Sequence, residues 1–298
     1  MTINNRLNKL YETAARIPFN NRSKIVIFSD CHRGEGSWAD NFAKNQGLYY
    51  HALNHYYDSG FTYIELGDGD ELWENKRLQD IVDTYRNIYR LFSRFYSKNR
   101  LHMLFGNHDM EKRNPKKTKC LDTIFDSRKN CMCACCPGIQ FPESLVLKHE
   151  NSNQEILLIH GHQADFLNYN LWMISRFLVR YVWKPLEAIG VRDPTSAAKN
   201  YKRRISVERK LIDWVKKGDC MLIAGHTHRP VFPSAEEPAY YNDGSCVHPR
   251  CITCIEIAGG EIMLAKWAYF IKKDGTVSVG REMLEAPRKL SPESVKTR

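Results

Sequence analysis

Five short polar blocks hold most of the side chains in this sequence that can do chemistry: Ser29-Asp30-Cys31-His32, Gly67-Asp68, Gly106-Asn107-His108-Asp109, His160-Gly161-His162 and Gly225-His226-Thr227-His228. They contain six of the chain's eleven histidines. Their His, Asp and Asn side chains supply imidazole nitrogens and hard oxygen donors but no thiolate, a set that suits manganese, iron or zinc better than a soft-metal cluster. An Asp shared by two cations about 3.5–4 Å apart makes a two-metal hydrolytic centre, in which the ions acidify a shared water and neutralise phosphoryl oxygens. One such block alone reads as a satisfied loop. Five in series do not.

Each block follows an apolar run of strand length, at 24–28, 63–66, 101–105, 155–159 and 220–224. Segments of helical length and period, about 38–58 and 76–98, separate the first three runs, and in the second Ile81, Tyr85, Ile88, Phe92 and Phe95 recur every three or four residues. This βαβαβ order predicts a parallel sheet. In such sheets ligands bind beyond the carboxyl ends of the strands, where distant loops converge. Turn residues at 151–153 predict a hairpin in a second sheet, and the runs 251–257, 261–271 and 276–279 predict antiparallel strands. Leu7, Leu10, Ala14 and Ile17 mark one face of an N-terminal amphipathic helix, and residues 286–298 read as a loose tail.

The motif series D-x-H, GD, GNH-D, H and G-H-x-H resembles the calcineurin-like metallophosphoesterases over about residues 25–229. The resemblance implies one domain over 1–298, folded as a four-layer αββα sandwich. It assigns Asp30, His32 and His228 to one metal, Asn107, His160 and His226 to a second, and Asp68 to both. The two divalent ions would be manganese first, with iron or zinc as alternatives. In that family a bridging water or hydroxide attacks phosphorus in line, which makes His108 the acid at the leaving oxygen and Asp109 the group that orients it. The block Gly67-Asp-Gly-Asp-Glu-Leu-Trp-Glu-Asn-Lys76 lacks the DRG of protein phosphatases and leaves Asp70 and Glu71 without a role. The order of blocks and a helical insertion resemble the UDP-2,3-diacylglucosamine pyrophosphohydrolases, although those carry Arg where His108 stands.

That insertion, residues 164–217, has twelve Lys and Arg against five Asp and Glu, so it carries +7 of the chain's net +10. Trp172, Arg176, Arg180 and Lys184 fall on one helical face, and Leu167, Leu171, Ile174, Leu178 and Val182 on another. Two readings stand. One is a packing helix with a solvated basic stripe; the other is a lid whose apolar face meets an acyl chain while Arg176, Arg180 and Lys184 bind phosphate. His162 is placed with these as a substrate-facing or outer-shell group. The cations between Lys199 and Lys210 fit either account or nucleic-acid binding.

With 298 residues, 43% hydrophobic and 26% charged, the chain has the composition of a folded protein whose partners are anionic. It shows no leader-like apolar segment, and its greasiest stretch, 171–183, is interrupted by Arg176 and Arg180. The expectation is a cytoplasmic protein that can also sit at the inner face of the membrane, with ten cysteines as reduced thiols. An extra zinc held by thiolates from the 120–136 and 246–254 clusters is the alternative for those cysteines. The expected activity is metal-dependent hydrolysis of a phosphodiester or pyrophosphate bond in a small nucleotide-sugar or lipid-linked substrate. A nuclease for DNA or RNA and a non-enzymatic scaffold are the alternatives. No obligate protein partner is expected.

Overall fold

The computed structural model describes residues 2–127, 129–183, 200–218 and 220–290. The chain starts with helix α1 (Ile3–Thr13) and strands β1 (Ala15–Phe19) and β2 (Lys24–Phe28), then α2 (Gln46–Asp58), β3 (Thr62–Glu65), α3 (Leu78–Thr84), α4 (Arg86–Tyr96) and β4 (Leu101–Met103). A hairpin of β5 (Thr123–Asp126) and β6 (Cys131–Ala134) precedes β7 (Ser144–His149) and β8 (Glu155–Ile159). The insertion contributes α5 (Phe166–Asn170), α6 (Trp172–Leu178) and α7 (Tyr201–Val215). Last come β9 (Met221–Ala224), β10 (Tyr240–Asn242), β11 (Cys251–Ala258), β12 (Glu261–Ile271), β13 (Val277–Met283) and β14 (Arg288–Lys289).

Two mixed sheets face each other. One runs β1-β7-β8-β9-β10, and the other β13-β12-β11-β2-β3-β4 with β14 against β12. The period of two in each strand explains the layers. Ile25 and Ile27 of β2 point into the core between the sheets with Leu145, Leu147, Ile156 and Leu158, while Val26 and Phe28 point to the layer of α2 and α4. On the opposite side Val146, Leu157 and Ile159 pack against Leu7 and Leu10 of α1 and Val207 and Leu211 of α7. The architecture is the four-layer αββα sandwich.

Three local expectations are corrected. The segment 38–58 is helical only from the short 3-10 turn Ala43–Asn45 onward, because Asp40 accepts the backbone amides of Gly34, Gly36, Phe42 and Ala43 and holds a loop there. The segment 76–98 is two helices that part at Tyr85, whose hydroxyl donates to the same Asp40. Within the expected loose tail, Arg288 and Lys289 pair with Ile262 and Glu261, and Leu290 is buried; residues 291–298 lie outside the described residues. None of the described helices is long and apolar enough to cross a membrane.

Candidate metal centre

The five blocks leave the carboxyl ends of β2, β3, β4, β8 and β9, so the two sheets deliver them to one edge of the sandwich. Local backbone then turns the side chains inward. Asp30, His32, Asp68, His226 and His228 have φ of 50°, 48°, 49°, 68° and 53°, in the left-handed region that costs a non-glycine residue about 1–3 kcal/mol. Cross-loop bonds hold them there: His32 N donates to Asp68 O at 2.9 Å, Arg33 N to Gly69 O at 3.0 Å and Gly225 N to His160 O at 2.9 Å. Gly67, at φ 96°, has no alternative residue, since a Cβ would lie 2.4 Å from Gly106 N.

Each aspartate has one oxygen tied to backbone and one directed at the imidazoles. Asp30 Oδ2 accepts from His226 N at 2.8 Å and Ser29 Oγ at 2.5 Å, while Oδ1 lies 3.0 Å from His228 Nε2 and 3.7 Å from His32 Nε2. Asp68 Oδ1 accepts from His108 N at 2.7 Å; Oδ2 lies 3.1 Å from His160 Nε2 and 3.8 Å from His32 Nε2, between the two groups. His160 Nδ1 donates to Leu66 O at 3.0 Å, which leaves Nε2 as its free lone pair.

The buried Asn107 Oδ1 and Nδ2 have no hydrogen-bond partner, Asp30 Oδ1 and His160 Nε2 make ion-pair contacts outside hydrogen-bond geometry at 3.0 Å to His228 and 3.1 Å to Asp68, and His32 Nε2 faces His228 Nε2 at 3.3 Å. Buried polar atoms are nearly always paired, and two imidazole lone pairs repel unless a positive group lies between them. The geometry therefore fits cations: among the described residues three groups of three donors lie close enough to share one, namely Asp30, His32 and His228; Asp68, His160 and His226; and His32, Glu71 and His108, the last already joined by hydrogen bonds of Glu71 to both rings. Burial opposes a charged His160, but Asp68 and Asp30 hold its pKa up at about 9; burial pulls that of His226 down.

Glu71 is the residue that motif reading left without a role. Its carboxylate accepts from His32 Nδ1 and His108 Nδ1, both at 2.7 Å, so it fixes both rings and leaves the Nε2 of each free. Burial works against a charged His108, and the Glu71 and Asp68 carboxylates raise its pKa nonetheless. The Trp73 ring stacks on the same imidazole, centroids 4.1 Å apart.

Asp109, expected to orient His108, is corrected here. Its carboxylate accepts the backbone amides of Gly106 at 2.7 Å, Asp68 at 3.2 Å and Gly69 at 3.1 Å, and the ammonium of Lys112 at 2.7 Å. It splints the second block to the third. Lys112 also pairs with Asp70 at 2.6 Å, and the fully buried Arg33 joins Asp70 to Glu65. Lys112→Met leaves Asp109 and one oxygen of Asp70 buried without a cation, so we expect a loss of about 3–5 kcal/mol in urea unfolding. An unchanged midpoint would show that the network does not support these loops.

The residues expected to meet substrate are placed differently. His162 is fully buried, packed against His160 and Tyr169, and burial with the neighbouring His160 and His226 holds its pKa well below the usual imidazole range. Arg176 pairs with Glu111, and Arg180 donates to the backbone carbonyls of Leu72 at 2.6 Å, Trp73 at 2.8 Å and Asn75 at 3.0 Å. Both guanidinium groups are thus bound to loops of the site and not offered to a phosphate. Lys184 lies outside the described residues. The ten cysteines are unpaired, and among the described residues none belongs to a group of three or more metal-ligating side chains.

Residues 23–230 match the family model for calcineurin-like phosphoesterases. The chain belongs to this family. Among solved structures it is similar to Vps29 of Chaetomium thermophilum, at 12% identity over 90% of this chain and 98% of that one, with a TM-score of 0.40. The same protein complexed with a cyclic peptide gives 0.36 at 12% identity over the same shares. The sulfate thiohydrolase SoxB of Thermus thermophilus, in complex with glycerol, gives 0.29 at 10% identity, over 90% of this chain and 57% of that one. No curated protein matches the chain. For a calcineurin-like phosphoesterase, the site lacks none of the residues that the motif series requires, and Glu71 adds a carboxylate behind two of its histidines.

Proposed function

We propose that this phosphoesterase is a two-cation hydrolase of a phosphodiester or pyrophosphate bond in an amphiphilic, nucleotide-linked substrate. The observation that carries the reading is the convergence of donor atoms without hydrogen-bond partners beside an imidazole fixed by Glu71. Asp30, His32 and His228 would hold one ion, Asn107, His160 and His226 the other, and Asp68 both. Two such ions, manganese being the best match to these donors, acidify water and neutralise phosphoryl charge. His108 keeps Nδ1 on Glu71 and has Nε2 to protonate the leaving oxygen. Trp73 limits the tilt of that ring.

The amphiphilic character rests on the insertion, whose faces are inverted relative to an ordinary surface helix. Its arginines bind inward, whereas Phe166, Met173 and Phe177 are 63%, 63% and 58% exposed, with Ile174 and Tyr181 beside them. An outward apolar face supports contact with an acyl chain or a lipid surface. The consumption of Arg176, Arg180 and Arg203 by protein partners weighs against nucleic acid. The resemblance to UDP-2,3-diacylglucosamine pyrophosphohydrolases agrees with an acylated substrate, and His108 departs from them.

The test uses the whole protein: elemental analysis, then bis-p-nitrophenyl phosphate hydrolysis with Mn²⁺ before and after chelation. We expect activity that chelator removes and Mn²⁺ restores. Replacing Met173, Ile174 and Phe177 by Glu should spare that activity while weakening turnover of an acylated nucleotide-linked pyrophosphate. No metal and no turnover would sink the hydrolase reading; equal turnover of the acylated substrate by the variant would sink the amphiphile.

A further inference from the structure

Helix α7 reaches the fifth block at two points. In its first turn, Arg203 donates from Nε at 2.9 Å and from a terminal nitrogen at 2.6 Å to the two oxygens of Asp165. Asp165 Oδ2 lies in turn 3.2 Å from His226 Nε2. Five residues further along α7, the buried Glu208 accepts from Thr227 Oγ1 at 3.0 Å and from Arg229 Nε at 3.1 Å. Val207 and Leu211 anchor the same stretch in the core beside Ala164 and Ala224. One helix therefore holds Thr227 and Arg229 directly and the His226 ring through Asp165.

A guanidinium bound to both carboxylate oxygens has a single planar geometry, so Asp165 is oriented before it meets the imidazole. With Nε2–H donated to Asp165, His226 keeps the lone pair of Nδ1 for a ligand. Asp165 is nearly fully buried and also accepts from Asn168 Nδ2 at 3.2 Å, which leaves it little freedom to turn. His226 itself stands at φ 68°, a conformation that needs outside support.

We infer that Arg203 and Asp165 are positioning residues that set the affinity of the cation position His226 serves, which makes the insertion part of the metal centre. The inference rests on the two-cation reading above. It concerns one position only, because His32, which serves the other cation, takes its orientation from Glu71 instead.

The test is Mn²⁺ binding by calorimetry and by the spin-coupled EPR signal of an ion pair, on wild type, Asp165→Asn, Arg203→Met and Arg203→Lys. We expect two ions on wild type. In Asp165→Asn and Arg203→Met one of the two ions should bind roughly 10–100-fold less tightly, with the coupled signal lost at limiting metal and the other ion unchanged. Arg203→Lys should recover part of the loss. Two ions bound to Asp165→Asn with wild-type affinity would overturn the inference. Equal weakening of both ions, with a lower unfolding midpoint of the metal-free protein, would overturn it as well, marking the contact as structural. Fewer than two ions on wild type would overturn the two-cation reading, and this inference with it.

Discussion

Asp68→Ala is expected to abolish phosphoester hydrolysis and to lower metal content at both positions. Asp68 Oδ2 lies between His160 Nε2 at 3.1 Å and His32 Nε2 at 3.8 Å, one from each proposed cation position. Asp30 Oδ1, by comparison, lies 3.0 Å from His228 Nε2 and 4.0 Å from His160 Nε2. The substitution also removes the acceptor for His108 N, so the loop carrying the acid loses its tether. The loss of rate should therefore exceed the roughly 10²–10⁴-fold expected for a missing general acid alone. Elemental analysis beside turnover of an alkyl phosphodiester reads both effects. Retention of two ions by Asp68→Ala would refute its shared role.

Much of this site is legible in the sequence because each block ends an apolar run, and strand ends in a parallel sheet must share an edge. The blocks that hold Asp30, Asp68, His160 and His228 could be brought to one edge by that rule, while their division between two cations is what the family resemblance implies. Glu71 could not be placed. Nothing in its neighbourhood marks it as a partner of histidines 37 and 39 residues away; backbone bonds such as Arg33 N to Gly69 O and Glu71 N to Arg33 O, with the bridge between Arg33 and Asp70, bring its loop against the first block. The opposite error befell Asp109, whose adjacency to His108 in sequence suggested contact. Consecutive residues beyond a strand point in different directions, and its carboxylate turns back to the amides of 68 and 69.

The insertion shows a further limit of pattern reading. Its periodicity separates an apolar face from a basic one but does not say which faces inward. The usual assignment puts the apolar face in, yet Arg176 and Arg180 find Glu111 and the carbonyls of 72, 73 and 75, all supplied by other loops. An arginine with a carboxylate or several carbonyls to bind can be drawn inward. Helix α7 follows the ordinary rule, with Val207 and Leu211 buried. Excising residues 166–214 would therefore remove part of the core, which is why the outer face is better tested by Met173, Ile174 and Phe177.

His108→Ala is expected to lower turnover by roughly 10²–10⁴ while leaving metal content intact, because in the proposed mechanism the ring serves the reaction while the backbone amide donates to Asp68. The backbone bond to Asp68 Oδ1 survives the substitution, so the cation ligands keep their tether. What disappears is the Nε2 that Glu71 and Trp73 hold in place. The loss should scale with the leaving group: large for an alkyl phosphodiester, whose departing alkoxide needs a proton, and small for a nitrophenolate that leaves unaided. Glu71→Gln should show the same dependence in weaker form, and it should also loosen metal binding, since Glu71 orients His32 as well. Measuring both variants on an alkyl and a nitrophenyl diester, with metal content determined in parallel, separates the two roles. An equal rate loss on both substrates would remove His108 from the proton transfer and leave it as a charge near the phosphoryl group.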